Sequence, residues 1–480
     1  MQRILSVAQM RAADRYTIEN LGIPERTLME RAGEAVAEEI QKRFKGGRIL
    51  FVCGKGNNGG DGLVAARLLK KAHGFSVFVL KLAAGEIEKL DLDYDVVVDC
   101  IFGTGLCREV TGEMKRVIEK INAKKCFKLS VDIPSGLNGD SGLVMGAAVK
   151  ADMTVSVQEF KAGHFLNDGK DYCGKIVNKD IGIAVFEEDF ACRLEPADMK
   201  RFFPKRLENT HKGSYGRAAI VGGSKDYFGS ALLSATALSA LRTGAGYGEL
   251  YVPESLFSLY AGKVPEIITR TFSDEKGAIC FCERDFESVL QANAVAVGMG
   301  MGCGEQTYRA VSWLLKHYRG ALVVDADGLN SLATYGVNAL KNAAADVVLT
   351  PHVKEFSRLT GKGTAQILAD PVGTAKEFYE TYGVNVLLKS ATSVLVGKSG
   401  VIFNTTGSSG MAKGGSGDVL SGAIAGIAAR GFSAFDAASA GAYLCGRAGE
   451  LAAAKFNEYA ATPSDTAAHL YAAENEIAEG

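Results

Sequence analysis

Gly407-Ser408-Ser409-Gly410-Met411-Ala412-Lys413-Gly414-Gly415-Ser416-Gly417-Asp418 runs straight into the apolar, helix-like segment Val419 to Ala429. Three glycines within four residues let successive backbone N–H groups turn toward one point, and the helix that follows adds the positive end of its dipole. Gly414, Gly415, Ser416 and Gly417 are therefore expected to form an anion hole, with phosphate as its occupant. Asp418 sets a carboxylate into that hole. Taken alone, a Gly-Asp pair ahead of a helix reads at least as well as a helix cap; the rest of the chain moves the balance toward catalysis.

Outward from this loop, short β-branched runs alternate with longer helical patterns in one block and then in another, which predicts two α/β units. In the second block strands are expected at Arg217 to Val221, Tyr247 to Val252, Ala294 to Val297, Ala321 to Asp325, Asp346 to Thr350 and Val384 to Lys389, with a helix over Ser230 to Thr243. In the first, strands are expected at Arg48 to Cys53, Phe75 to Leu80, Val96 to Asp99 and Lys128 to Asp132, and helices at Gly62 to His73 and Glu113 to Asn122. Met199-Lys200-Arg201-Phe202-Phe203-Pro204-Lys205-Arg206 breaks the pattern with a proline and a charge cluster, placing the boundary near residue 205 and giving units 1–205 and 206–480.

Composition limits what these units do. The 480 residues are 47% hydrophobic, enough for two sizeable cores. The 57 glycines stand beside only 9 prolines, which fits tight turns and close approaches to ligands rather than disorder. A net charge of −1 gives no electrostatic footprint for nucleic acid or an anionic membrane, so small-molecule substrates are favoured. The cysteines are scattered singly apart from Cys280 and Cys282, without zinc spacing, which points to a reducing, cytoplasmic setting. Met1 to Val7 passes directly into the charged run Arg11 to Arg15, so no signal-peptide core is expected, and no apolar run is long enough to span a bilayer.

The first block carries a site of its own. Ile49-Leu50-Phe51-Val52-Cys53 opens into Gly54-Lys55-Gly56-Asn57-Asn58-Gly59-Gly60-Asp61-Gly62, a glycine-rich loop feeding a helix at the carboxyl end of a strand, where open α/β sheets hold their ligands. A second strand ends at Asp99, ahead of Phe102-Gly103-Thr104-Gly105-Leu106, and a third ends in Ser130-Val131-Asp132-Ile133-Pro134-Ser135. In a parallel sheet these ends share one edge. Asn58, Asp99 and Ser135 then offer oxygen ligands for a hard cation, and Asp132 is a candidate proton carrier. Singly, each Asp at a strand end is more often a loop cap; three such ends in one domain weigh against that reading.

Gly54 to Gly62, together with Gln9-Met10-Arg11-Ala12-Ala13-Asp14 and Leu28-Met29-Glu30-Arg31-Ala32-Gly33, resembles the epimerase domain of the bifunctional NAD(P)H-hydrate repair enzymes. Lys212-Gly213-Ser214-Tyr215-Gly216-Arg217, Val221 to Ser224, Arg242 to Gly246, Asp325 to Asn330, Thr350 to Phe356 and the terminal Gly-Gly-Ser-Gly-Asp resemble, in order, their ADP- or ATP-dependent dehydratase domain. The resemblance spans nearly the whole chain. It implies a Rossmann-like three-layer α/β domain followed by a ribokinase-like α/β domain, acting on hydrated NADH and NADPH.

In the first domain the resemblance implies Asp132 as proton shuttle, potassium near Asn58, Asp99 and Ser135, and substrate phosphates along two loops. These are Asn57, Asn58, Gly59, Gly60 and Asp61, and Gly103, Thr104, Gly105, Leu106, Cys107, Arg108 and Glu109. In the second it implies Asp418 as base, a hydrate pocket at Gly246, Gly302, His352 and Asp418, and a nucleotide site at Lys389, Ser390, Ala391, Thr392, Ser393 and Gly417. Magnesium accompanies ADP or ATP there, and a homo-oligomer is expected. The chain departs from the family at Gly298-Met299-Gly300-Met301-Gly302, which lacks the usual proline, at Ser390, and at Lys413, which puts a cation close to the expected phosphates. The competing readings are a ribokinase-type vitamin kinase with a non-catalytic N-terminal domain, and a binding protein.

Overall fold

The computed structural model describes residues 1–82, 87–186 and 189–479, without the side chains of 238–241. The chain forms two compact units, one from Gln2 to Ala191 and the other from Cys192 onward together with Met1. This division lies upstream of the expected boundary near 205. The reason is apolar burial: Leu194, Met199 and Phe202 are part of the second unit's core, so the proline and charges that follow mark a surface turn within that unit.

In the first unit a parallel sheet of six strands runs Phe75–Lys81, Gly47–Cys53, Val96–Cys100, Phe127–Val131, Met153–Val157 and Lys175–Lys179 across its width. The central strands, such as Val96–Cys100 and Met153–Val157, are buried on both faces because both are covered. Ile49 and Phe51 pack with Val36, Ile40, Ala65 and Leu69 from helices Glu25–Arg43 and Asn57–Lys71. Their neighbours Leu50 and Val52 point the other way, onto Val117, Ile118 and Ile121 of helix Gly112–Ala123. The alternation of side chains along a strand thus builds three layers.

The second unit has a larger sheet. Strands Ile268–Phe272, Tyr247–Pro253, Arg217–Val221, Ala294–Val297, Ala321–Val324, Asp346–Leu349 and Asn385–Leu388 are parallel in that order, and the antiparallel pair Ser393–Gly397 and Gly400–Asn404 extends it. Helix Ser416–Ala429 is buried all round from Val419 to its end, as an apolar helix without a polar face must be. Helix Ala434–Ala460 lies so close to it that a Cβ on Gly441 would stand 2.7 Å from Ile424 Cγ1. Among the described residues no helix is long and apolar enough to cross a membrane.

Candidate active sites

The sequence reading places helix Gly62 to His73 after a glycine loop, but the helix begins at Asn57, capped by Gly56. Asn57 to Asp61 are therefore its first turns. The glycines serve close packing: a Cβ on Gly59 would lie 2.2 Å from the Gly54 carbonyl oxygen. Asn57 turns its amide to Glu25 Oε1 at 2.8 Å, while Asn58 points into the sheet edge and donates from Nδ2 to the Val131 carbonyl at 2.7 Å. Its Oδ1 is buried without a hydrogen-bond partner, and such an orphaned acceptor calls for a ligand.

Asp99 is 1% exposed. Its Oδ2 accepts from the Ser135 N–H and the Ser130 hydroxyl, both at 2.8 Å, and its Oδ1 from the Ser135 hydroxyl at 2.5 Å and the Ile101 N–H at 3.2 Å. Burial pushes its pKa up against these bonds. Ser135 Oγ also accepts from the Phe102 N–H at 2.8 Å, tying the end of one strand to the loop after the next.

That loop passes directly over Asn58 and Asp132. A Cβ on Gly103 would stand 3.2 Å from Asn58 Nδ2 and 3.5 Å from Asp132 Oδ2. Thr104 is half-buried, and Gly105, Cys107, Arg108 and Glu109 are exposed around the half-buried Leu106, whose N–H closes a turn onto Gly103. The expected convergence of Asn58, Asp99, Gly103, Asp132 and Ser135 is therefore present at one edge.

Sequence reasoning missed two other groups here, Lys161 and His164. Lys161, 2% exposed, pairs with Asp132 Oδ1. His164 is wholly buried; its Nδ1 accepts from the Lys161 N–H at 3.1 Å, so Nε2 carries the proton and donates to the Asp132 carbonyl at 2.8 Å. Burial, and then the Lys161 ammonium, push the His164 pKa down to about 4. Asp61 is held well above the usual carboxylate range by burial and then by the charges of Asp132 and Asp14. The sequence signal was a lysine and a histidine inside the apolar run Phe160-Lys161-Ala162-Gly163-His164-Phe165, where neither belongs without a partner.

In the second unit, Gly415 caps helix Ser416–Ala429 in the left-handed region, at φ 100°. Asp418 lies in the first turn, and no side chain caps that helix; the Ser230 hydroxyl, on helix Phe228–Arg242, favours its ionised form. Burial, and then repulsion from Asp325, raise the Asp418 pKa to about 6. Capping therefore does not account for this acid.

Asp325, at the end of strand Ala321–Val324, is 2% exposed and accepts from Lys389 Nζ and from the Ser421 hydroxyl, each at 2.8 Å. A Cβ on Gly417 would stand 3.1 Å from Lys389 Nζ. Burial works against the lysine's charge, but Asp325 and Glu355 outweigh it and hold the pKa above the ordinary value. His352 caps helix Val353–Thr360 through Nδ1, and its main chain bridges to Lys389. Burial, and then Lys389, lower its pKa. Its capping partner Glu355 is pushed by burial up to about 7. Gly302 donates its N–H to Asp327 Oδ2 at 2.9 Å. Ser390 and Ala391 are exposed on the turn after Lys389, Ser393 begins the next strand, and the Thr392 hydroxyl is buried without a partner.

Gly246 does not join this group. It precedes strand Tyr247–Pro253, at the amino edge of a parallel sheet whose carboxyl edge holds Asp325, His352 and Lys389. Main-chain packing explains the glycine: a Cβ would fall 1.7 Å from the Lys212 carbonyl oxygen. Lys413 also differs from expectation, since its ammonium bonds the carbonyls of Glu458 at 3.0 Å, Tyr459 at 2.9 Å and Ala461.

A family model described as NAD(P)H-hydrate dehydratase matches residues 218–470, and one described as YjeF-related protein N-terminus matches 25–93 and 81–163. The chain is 36% identical to the bifunctional NAD(P)H-hydrate repair enzyme Nnr of Thermofilum pendens, over 94% of this chain and 92% of that one. It is also 36% identical to that of Moorella thermoacetica, over 96% and 94%. Among solved structures, the ADP/ATP-dependent NAD(P)H-hydrate dehydratase of Bacillus subtilis, co-crystallised with ATP and Mg2+, aligns with a TM-score of 0.52 and 25% identity, over 60% of this chain and 99% of that one. With two α/β units in matching order and relatives covering nearly its full length, the chain belongs to the family of bifunctional NAD(P)H-hydrate repair enzymes.

Proposed function

We propose that the chain repairs hydrated NADH and NADPH in two steps. The first unit interconverts the epimers of the hydrate, and the second restores the dinucleotide at the expense of ADP or ATP. The observation that carries this reading is a separate acid centre, Asp132 in one unit and Asp418 in the other, each among converging loops at the carboxyl edge of its own parallel sheet.

The hydrate bears a hydroxyl on the carbon beside the ring nitrogen. The nitrogen lone pair expels that hydroxyl, and water returns to either face. Asp132 gives the departing hydroxyl a proton and regains one from the water that adds, so no proton is consumed. Asn57 to Asp61 and Gly103 to Glu109 flank this carboxyl and would hold the substrate's phosphates. Asn58, with its unpartnered Oδ1, and the Asp99–Ser135 pair fit a potassium ion; when bound, it supplies positive charge for those phosphates.

In the second unit Asp418 accepts the hydroxyl proton as the oxygen attacks the terminal phosphoryl group and displaces AMP from ADP, or ADP from ATP, with the Gly414, Gly415 and Gly417 amides facing the developing charge; the Ser416 N–H is taken by the Lys413 carbonyl at 3.3 Å. The carbon–oxygen bond then breaks with phosphate leaving, and loss of the neighbouring ring proton restores the double bond. Lys389 to Ser393 and Gly417 would take the nucleotide, and Gly302 and His352 the hydrate. Magnesium, carried in by the nucleotide, supplies charge neutralisation at the phosphates; among the described residues no cluster of His, Cys, Asp or Glu is placed to hold a metal alone. The cysteines, scattered singly apart from Cys280 and Cys282, support a reducing, cytoplasmic setting.

The test is to incubate the protein with both NADH-hydrate epimers, magnesium, potassium and either ADP or ATP, following dihydronicotinamide absorbance. Recovery of all the hydrate, faster than it epimerises spontaneously, is the expected result. Recovery stalling at one epimer would remove the epimerase, and no recovery with either nucleotide would favour a vitamin kinase.

A further inference from the structure

We propose that Lys161 is a positioning residue of the N-terminal site, clamping one oxygen of the Asp132 carboxyl so that the other, Oδ2, is the one that works on substrate. The inference rests on the reading of Asp132 as proton carrier.

The geometry is specific to the two oxygens. Lys161 Nζ bonds Asp132 Oδ1, and the Val157 N–H approaches the same oxygen at 3.4 Å. Oδ2 faces the Gly103 loop instead, 3.5 Å from where a Cβ on that glycine would stand. An ammonium has donors and no acceptor. The oxygen it holds cannot point a proton back at it, so a proton on Asp132 resides on Oδ2, the atom nearest the loop assigned to substrate. The clamp therefore decides where the mobile proton sits.

Lys161 is itself fixed. Its Nζ donates to the Val157 carbonyl at 2.7 Å and reaches Ser156 Oγ at 3.5 Å. His164, three residues on, holds the Asp132 carbonyl at 2.8 Å and the Lys161 N–H at 3.1 Å. One short segment thus grips Asp132 at both its main chain and its side chain. Asp132 needs that grip, because its φ of 68° lies in the left-handed region that a non-glycine residue occupies only when its surroundings impose it.

A purely structural role is a poor explanation for this lysine. A buried ion pair contributes little stability compared with well-packed apolar side chains of the same volume, because both charges must leave water. Asp132 also interacts with the charge of Asp61, and Lys161 is its ion-pair partner among the described residues. Without the ammonium Oδ1 keeps only the long 3.4 Å approach of the Val157 N–H, and the carboxyl loses its anchor.

The experiment measures epimerase kinetics, with the dehydratase in excess, for the full chain and for K161M, K161R and D132N. K161M should lower kcat by about 100-fold or more, as loss of a positioned proton carrier does, while KM stays within about threefold because phosphate contacts are untouched. K161R, which keeps a cationic donor, should recover at least about tenfold of that loss. A K161M kcat within about threefold of the parent, or a loss appearing mainly in KM, would overturn the clamp while D132N remained inactive. An active D132N would instead overturn the reading of Asp132 itself.

Discussion

Lys389 Nζ donates to Asp325 Oδ1 at 2.8 Å directly beneath the turn that carries Asp418, within 3.1 Å of where a Cβ on Gly417 would stand. The ammonium thus feels the charge of both the buried Asp325 and the acid assigned as base. Asp325 raises the Asp418 pKa and Lys389 lowers it. The balance after burial is a carboxyl near 6, poised to accept a proton around neutral pH.

The dehydratase should therefore lose activity as pH falls through about 6, because Asp418 must be ionised to act as base. Lys389→Met removes the lowering influence and leaves the charges of Asp325 and Asp327 acting on Asp418. The acid limb of kcat should move upward by about one pH unit. A limb that stays in place, or moves down, would show that Asp418 is not the group titrating.

Asp418→Asn should remove nucleotide-dependent recovery by about 1000-fold or more and leave epimerisation at the parental rate; Asp132→Asn should do the reverse. Each acid interacts within its own unit, Asp418 with the charges of Asp325 and Lys389 and Asp132 with Lys161. The check is to assay both activities in each variant. A single substitution that silenced both in a folded protein would contradict two independent centres.

Much of this layout was legible in the sequence. Apolar β-branched runs bounded by turns marked strands such as Arg217–Val221 and Ala294–Val297 to the residue, because a parallel strand covered on both faces leaves little choice of composition. The helix after Asp418 was legible for the same reason, though it starts at Ser416. The start at Asn57 was hidden, because four glycines from Gly54 to Gly60 read as a loop, whereas Gly59 lets the helix approach the strand end at Gly54. Lys161 was hidden for a different reason. Its meaning depends on strand pairing that brings Val131 beside Val155, and no local pattern reports that register. Gly246 shows the converse error, since a glycine in a matching motif carries no information about which edge of the sheet it occupies.

Asn58 Oδ1 gives potassium a direct signature apart from activity. Replacing tetramethylammonium chloride by potassium chloride at equal ionic strength should slow hydrogen exchange in helix Asn57–Lys71, since an ion bound only by the folded site stabilises it in proportion to its occupancy. Asn58→Leu, which removes the acceptor and keeps the bulk, should lose that salt-specific protection. Equal protection by both salts in the parent would remove the ion from this site.

Lys413 is expected to act on stability rather than on nucleotide affinity. Its ammonium reaches the carbonyls of Glu458, Tyr459 and Ala461, where helix Ala434–Ala460 breaks at Asn457, φ 64°, and its last carbonyls lack helical partners. It thereby ties the segment leading into the anion hole to that helix end. Lys413→Ala should cost about 1–2 kcal/mol of stability and speed hydrogen exchange over 457–461, while the apparent nucleotide constant stays within about threefold, a change of less than about 1 kcal/mol. A tenfold weaker nucleotide with unchanged exchange would instead put the ammonium on the phosphates.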